Sequence, residues 1–290
     1  MATTGIRTIL RKLIPSSLEV PARRLYYWAT DALDSALLRR LQIARGERGE
    51  LTPPRRLIAA IGGGDFEKVG DNLLGLLVDL GRLRASDRVL DVGCGSGRMA
   101  AALTKFLTTG TYEGFDIVED TVQWCQKVIT PRHPRFRFQK VEVYNELFNP
   151  GGTIQARDFR FPFEERAFDF ILLTSVFTHM RPADVENYAA QISRTLERDG
   201  RCFVTFFILN EESLSLLDRT PGELSFRHPA DGYRVNDPLR PELAVAYPEQ
   251  FVRGLFERNH LQVERVDYGS WCGRTTSTSF QDIIVARRTD

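Results

Sequence analysis

Arg88-Val89-Leu90-Asp91-Val92-Gly93-Cys94-Gly95-Ser96-Gly97-Arg98-Met99-Ala100 is the stretch on which the fold turns. Val89, Leu90 and Val92 form a short apolar run of the kind buried in a parallel sheet, and an alanine-rich segment of helical composition follows from Arg98 to Leu107. Between them stand three alternating glycines. A strand, a glycine turn and a helix in direct succession bring backbone close to a ligand, because glycine adopts conformations and contacts that a Cβ forbids. Two nucleotide fingerprints fail here. G-x-G-x-x-G requires glycine at position 98, where Arg98 stands, and the Gly-Lys-Ser/Thr of a triphosphate loop is absent. Asp91, two positions before the first glycine, is a poor neighbour for a pyrophosphate and a good one for an amine or another cation.

Working outward, the chain alternates short β-rich runs with helical ones. Strands are expected at Thr111 to Ile117, Phe136 to Val143, Phe168 to Thr174, Arg201 to Leu209, Leu261 to Asp267 and Gln281 to Ala286. Helices are expected at Asp120 to Ile129, Ala183 to Leu196 and Glu249 to Arg258. With the strand before the glycines this makes an α/β protein, a seven-stranded, mainly parallel, Rossmann-like sheet with helices on both faces. Upstream, apolar residues recur at helical spacing from Ile6 to about Gly46, broken at Pro15 and Pro21, and Gly46 to Pro54 reads as a linker. A short helix, Arg55 to Ile61, leads into Gly62-Gly63-Gly64-Asp65, either a lid hinge or a plain linker, and then into a helix from Phe66 to about Leu80. The division expected is a helical extension over 1–65 and a single catalytic domain over 66–290.

The glycine segment, Asp91-x-Gly93-x-Gly95-x-Gly97, resembles motif I of the class I S-adenosylmethionine-dependent methyltransferases, and the resemblance continues downstream. Tyr112-Glu113-Gly114-Phe115-Asp116-Ile117 ends a strand with an acid 25 positions after Asp91. Phe168 to Leu173 running into Thr174-Ser175-Val176-Phe177-Thr178-His179-Met180 is similar to motif post-III, and Glu197-Arg198-Asp199-Gly200-Arg201 to the L-x-x-G-G turn, with Asp199 in place of its first glycine. Gly200 is then available as a helix stop. The resemblance covers roughly residues 66–290. It implies S-adenosylmethionine as cofactor, with S-adenosylhomocysteine as product. Asp91, Gly93, Cys94, Gly95 and Gly97 would hold the amino-acid portion. Asp116 would hold the ribose, which suits a carboxylate because it accepts two hydrogen bonds at once. Ile117, Glu142 and Val143 would hold the adenine, with Asp158 a rival to Glu142. Thr174 and Ser175 would border the acceptor.

His179 is the one histidine near that centre, and it is either a general base or a capping histidine before Arg181-Pro182. His133, His228 and His260 read as solvated. Residues 210–247 are too long for an ordinary connection and suggest an acceptor-site cover bearing Phe226, Tyr233 and Tyr247, or a surface insertion. After the fourth strand there is no Asn/Asp-Pro-Pro-Tyr/Phe, no Pro-Cys and no paired glutamates, which sets aside nucleobase and protein-arginine acceptors. A small molecule, lipid or sugar-containing natural product remains, methylated on oxygen or nitrogen. The rival readings are a non-enzymatic S-adenosylmethionine-binding protein and a nicotinamide-dependent oxidoreductase, the second opposed by Arg98 and Asp91.

The 290 residues carry 39 Lys+Arg against 38 Asp+Glu, and this formal charge of +1 gives no global reason for a nucleic-acid partner. The first sixty residues hold eleven basic and five acidic side chains, leaving a mildly acidic body. Tyr26, Tyr27 and Trp28 among Arg23, Arg24, Arg39 and Arg40 form either an amphipathic cap or a contact for an anionic membrane or acidic partner. Cys94, Cys125, Cys202 and Cys272 are scattered without a C-x-x-C pair, as expected of reduced thiols in a cytoplasmic protein. Arg7, Arg11 and Lys12 interrupt the first apolar pattern, against a cleaved signal peptide, and no metal site is expected.

Overall fold

The computed structural model describes residues 36–46, 48–60, 62–219 and 224–290. The chain divides into two compact units, Met1–Val69 and Gly70–Asp290. In the first, α1 spans Ala36–Ala44 and α2 spans Arg55–Ala60, and α3 (Phe66–Asp79) begins there. Gly62, Gly63 and Gly64 all have positive φ, a path open to glycine without strain, and it delivers the chain to Asp65. Asp65 Oδ1 accepts the Lys68 N–H at 3.0 Å and so caps α3. Glu67 accepts from Gly49 N at 2.7 Å and Thr52 Oγ1 at 2.5 Å, which ties the linker to the helix start. The aromatic and basic residues Arg23, Arg24, Tyr26, Tyr27 and Trp28 lie outside the described residues. Among the described residues, no helix is long and apolar enough to cross a membrane.

The second unit opens with β1 (Arg88–Val92), α4 (Arg98–Leu103), β2 (Thr111–Asp116), α5 (Glu119–Val128) and β3 (Phe136–Lys140). It continues through β4 (Phe168–Leu173), α6 (Pro182–Thr195), β5 (Leu196–Phe206), β6 (Ile208–Leu209) and α7 (Glu211–Arg219). The remainder is β7 (His228–Ala230), β8 (Tyr233–Val235), β9 (Val245–Pro248), α8 (Glu249–Arg258), β10 (Leu261–Asp267) and β11 (Asp282–Arg288). Seven strands form one sheet in the order β3-β2-β1-β4-β5-β11-β10, parallel throughout except for β11, which is antiparallel to both neighbours. Val89, Leu90, Ile171, Leu172, Phe203 and Val204 are wholly buried, as central strands covered on both faces must be. Each such side chain contributes about 1.5–3 kcal/mol of burial. The chain reverses its strand order between β1 and β4, and there the carboxyl ends of a parallel sheet open a crevice.

Two local expectations are corrected. Gly200 does not stop a helix, because α6 ends at Thr195 and β5 begins at once at Leu196. Leu196 pairs with Phe168 and Arg201 with Phe170, so residues 197–200 bulge opposite the single β4 residue Asp169. A Cβ on Gly200 would lie 2.8 Å from the Glu197 carbonyl oxygen, so the bulge is too tight for another residue. The described residues of 210–247 form α7, the β7–β8 hairpin and β9, and β6-β9-β8-β7 make a second sheet. Phe226 and Tyr247, expected on an acceptor-facing surface, are instead fully buried there. Phe226 packs on Phe207 and Trp271, both with ring centroids 5.3 Å away, and Tyr247 donates its O–H to the Met180 carbonyl at 2.6 Å. Tyr233 is half-buried, stacked on Tyr247.

Candidate active site

The glycine turn closes on β2 through backbone and one carboxylate. Gly93 N and Cys94 N both donate to the Phe115 carbonyl, at 2.9 and 3.1 Å. Gly93 and Gly97 have φ of 78° and 80°, and a Cβ on Gly93 would meet Val176 Cγ2 at 2.5 Å. Asp116 Oδ2 accepts Gly95 N at 2.7 Å, and Oδ1 accepts Val118 N at 2.8 Å. Burial pushes the Asp116 carboxyl up, and the amides of Val118, Gly95 and Ile117 oppose it. Each of its oxygens has a second lone pair, and the side chain keeps partial exposure, so the carboxylate can accept further hydrogen bonds.

Asp91 lies deeper, at 1% exposure near the end of β1. Tyr112, itself buried on β2 and stacked on Phe136, donates its hydroxyl to Asp91 Oδ2 at 2.6 Å. Asp91 Oδ1 has no hydrogen-bond partner among the described residues, and neither has Ser96 Oγ in the same turn. Desolvation, helped by the neighbouring Asp116 and opposed by the Tyr112 hydrogen bond, pushes Asp91 up to about 7. A buried acceptor with an unused oxygen calls for a donor, and a cationic one would both satisfy it and stabilise its charged form. Cys94 and Cys125 flank the turn as buried free thiols, both pushed up by burial, so they are packing groups and not nucleophiles.

The other expected residues spread along the same edge. Ile117 packs partly buried against the main core, and Val143 is buried and bridges to Ile154. β3 stops at Lys140, so Glu142 lies two residues beyond it, exposed, with its carboxylate on Lys140 Nζ. Asp158 is exposed on a single 3-10 turn, 3.7 Å from Arg157 Nε. Ser175 takes φ 59°, sparsely populated for a non-glycine residue, and is pinned there by Thr205 Oγ1 accepting its N–H at 2.8 Å and by a 3.0 Å bond from Ser175 Oγ to Gln281 Oε1. Thr174 is half-buried beside it. His179 ends a 3-10 turn, Phe177–His179; its Nδ1 lies 3.0 Å from the Glu242 carbonyl, and burial pushes its pKa down against that bond. Asp91, Cys94 and Asp116 share one cluster, while Glu142 and Asp158 stand at the surface. The sequence reading gave no role to Tyr112, although it stands in the motif that ends with Asp116, nor to Thr205, Gln281 and Glu242, which belong to no local motif.

The profile of the methyltransferase-domain family matches residues 64–264. The chain belongs to this family. Its cofactor is accordingly S-adenosylmethionine, and the orphaned Asp91 oxygen beside the glycine turn fits that ligand's ammonium group. The uncharacterized methyltransferase YcgJ of Bacillus subtilis (strain 168) is 28% identical over 128 residues, 44% of this chain and 44% of that protein, so the match spans less than half its length. Among solved structures, the PH0226 protein of Pyrococcus horikoshii OT3 superposes with a TM-score of 0.54 at 18% identity, over 79% of this chain and 93% of that one. A SAM-dependent methyltransferase of Methanosarcina mazei gives 0.51 at 17% identity, over 73% and 97%. At such identities these two structures bear on the fold alone.

Proposed function

We propose that this methyltransferase moves a methyl group from S-adenosylmethionine to an oxygen or nitrogen of a small molecule, and that the residues at the carboxyl ends of β1, β2 and β4 carry the reaction. The observation that carries the reading is the buried Asp91 carboxyl, held by Tyr112 on one oxygen and without a partner on the other among the described residues, beside a turn of positive-φ glycines. In this reading Asp91, Cys94 and the glycines 93, 95 and 97 take the amino-acid portion. Asp116 takes the ribose hydroxyls on its remaining lone pairs. Ile117 and Val143 flank the adenine, with Glu142 or Asp158 reading its amine.

When bound, the cofactor supplies a methyl carbon made electrophilic by the sulfonium charge. Thr174, Ser175 and His179 border the place where an acceptor approaches it in line. The methyl group would pass to the acceptor's lone pair as the carbon–sulfur electron pair returned to sulfur, and His179 would be the base that takes the acceptor's proton. Holding the partners in line is the main contribution a protein makes to such a displacement. The absence of nucleobase and arginine signatures after β4 favours a small acceptor, and the near-zero net charge speaks against nucleic acid. A cytoplasmic setting agrees with four free, buried cysteines.

Calorimetry with S-adenosylhomocysteine, followed by radiolabel transfer from S-adenosylmethionine into fractionated small-molecule extracts, tests this. One-site binding with label in a small-molecule fraction is expected. Stoichiometric binding of NAD with none of S-adenosylhomocysteine would overturn it.

A further inference from the structure

Glu242, from the segment inserted after β6, joins three pieces of chain around His179. Its backbone carbonyl meets His179 Nδ1 at 3.0 Å. Its carboxylate accepts from Asn145 Nδ2 at 2.9 Å and from Glu146 N at 3.3 Å, and lies 3.4 Å from Arg181 Nε. At 9% exposure, a carboxylate this buried is rare unless it is paired. Asn145 passes the constraint on, because its Oδ1 accepts the N–H groups of Leu147 and Phe148, each at 3.0 Å. That turn sets Phe148 edge-on to the His179 ring, centroids 5.6 Å apart, while Phe148 stays 40% exposed.

A carbonyl has no proton to give, so Nδ1 must carry one. A neutral imidazole has a single N–H, which leaves Nε2 with its lone pair. We propose that Glu242 is the positioning residue of the acceptor side: its carbonyl holds His179 as the Nδ1–H tautomer, and its carboxylate anchors both that carbonyl and the loop that presents Phe148 beside the ring. The insertion is thereby part of the machinery, because it decides which histidine nitrogen is basic. What His179 is for rests on the methyltransferase reading above, whereas its tautomer does not.

The test is nitrogen NMR of the full chain labelled in histidine, with His179 assigned among the four histidines by its loss in His179→Gln. The wild type is expected to show one tautomer, protonated at Nδ1. Glu242→Ala is expected to replace it with a mixture, Glu242→Gln to restore the wild-type signal by keeping an acceptor for Asn145, and Asn145→Ala to mix the tautomers by cutting the same anchor from the other side. An Nε2–H tautomer in the wild type overturns the proposal. So does a wild-type signal in folded Glu242→Ala or Asn145→Ala, or a failure of Glu242→Gln to rescue. Calorimetry with S-adenosylhomocysteine on the same samples separates the two readings: wild-type protein that binds none of it loses the methyltransferase assignment while the tautomer result stands on its own.

Discussion

The two ends of the sheet are built from the same residue types to opposite ends. At the amino end, a cavity of about 500 Å³ is lined by Arg84, Asp169, Asp199, Arg201 and Arg287 among others, and nearly every charge there has a partner. Arg88 bonds Asp169 at 2.9 Å, Arg201 and Arg287 share Glu264 at 3.0 and 3.1 Å, and Arg84 bonds Asp87 at 2.9 Å. At the carboxyl end the turn is tight, yet Asp91 Oδ1 and Ser96 Oγ are buried with no hydrogen-bond partner among the described residues. Asp169 and Asp91 condense the contrast. Burial alone would raise Asp169, but the hydrogen bonds and charge of Arg88 hold it below the usual carboxylate range, whereas Asp91 is driven up to about 7. The amino end holds paired charges around an open groove, and the carboxyl end holds unsatisfied polar capacity, where the proposed site lies.

The largest effect is expected from breaking the carboxyl end. Asp91→Asn should weaken S-adenosylhomocysteine binding by about 3 kcal/mol, more than a hundredfold, because it removes a charge-assisted partner of the ligand's ammonium group. It should not lower the melting temperature of the ligand-free protein, since it relieves a desolvated acid. A lower melting temperature with binding unchanged would make Asp91 a structural residue like Asp169. Next, Asp116→Ala should weaken binding by about 2 kcal/mol and also destabilise the protein, because Gly95 N and Val118 N lose their acceptor. Calorimetry and a thermal melt on one preparation check both halves.

The acid values add a third, smaller effect with a definite sign. Asp91 is raised from 3.8 to about 7, so the native state binds a proton that the unfolded chain has released. Ligand-free stability should therefore fall as pH rises from about 4 to about 7, by at most about 1.4 kcal/mol per unit. Asp282, raised to about 6 by burial against the amides of Ile208 and Gly269 and the Trp271 indole, adds to the same slope. The difference between wild type and Asp91→Asn isolates the Asp91 share. Over the same window a cationic ligand should bind more tightly as pH rises, with proton release, by up to about tenfold per unit. Calorimetry in buffers of different ionisation enthalpy would show that release, and its absence would put the ammonium group elsewhere.

Much of this was legible in the sequence where the signal is local. β1 and α8 fall on the residues expected of them, and β2, β4 and α5 within one, because apolar runs and glycine punctuation specify them without help from distant chain. The glycine turn and Asp116 were legible for the same reason. The Glu197–Gly200 bulge was not, because it is set by pairing with β4 some thirty residues upstream. Nor was Glu242, whose partners at 145, 179 and 181 lie far away in sequence, or the core role of Phe226 and Tyr247, since an aromatic residue in a long connection reads alike whether it is buried or facing a ligand. Burial of polar atoms, the property that separates the two ends of the sheet, has no signature in residue type.

The smallest expected effect is at the amino end. Asp169→Asn keeps one oxygen for the Arg88 backbone N–H, bonded at 2.8 Å in the native protein, and loses the charge facing the guanidinium. Arg88 is 42% exposed in its side chain and also reaches Glu197 at 3.4 Å, so water and a second carboxylate screen the loss to about 1 kcal/mol of stability. Asp169 has a lowered folded value, so what it contributes is complete above the ordinary carboxylate range and fades as pH falls through that lowered value. The variant should therefore lose its deficit relative to wild type in acid, opposite in sense to Asp91→Asn. S-adenosylhomocysteine affinity should be unchanged, because Asp169 lies at the opposite end of the sheet from the glycine turn and its charge is taken up by Arg88. An affinity that falls with Asp169→Asn would mean that the two ends of β1 are coupled through the strand, and the division of labour between them would fail.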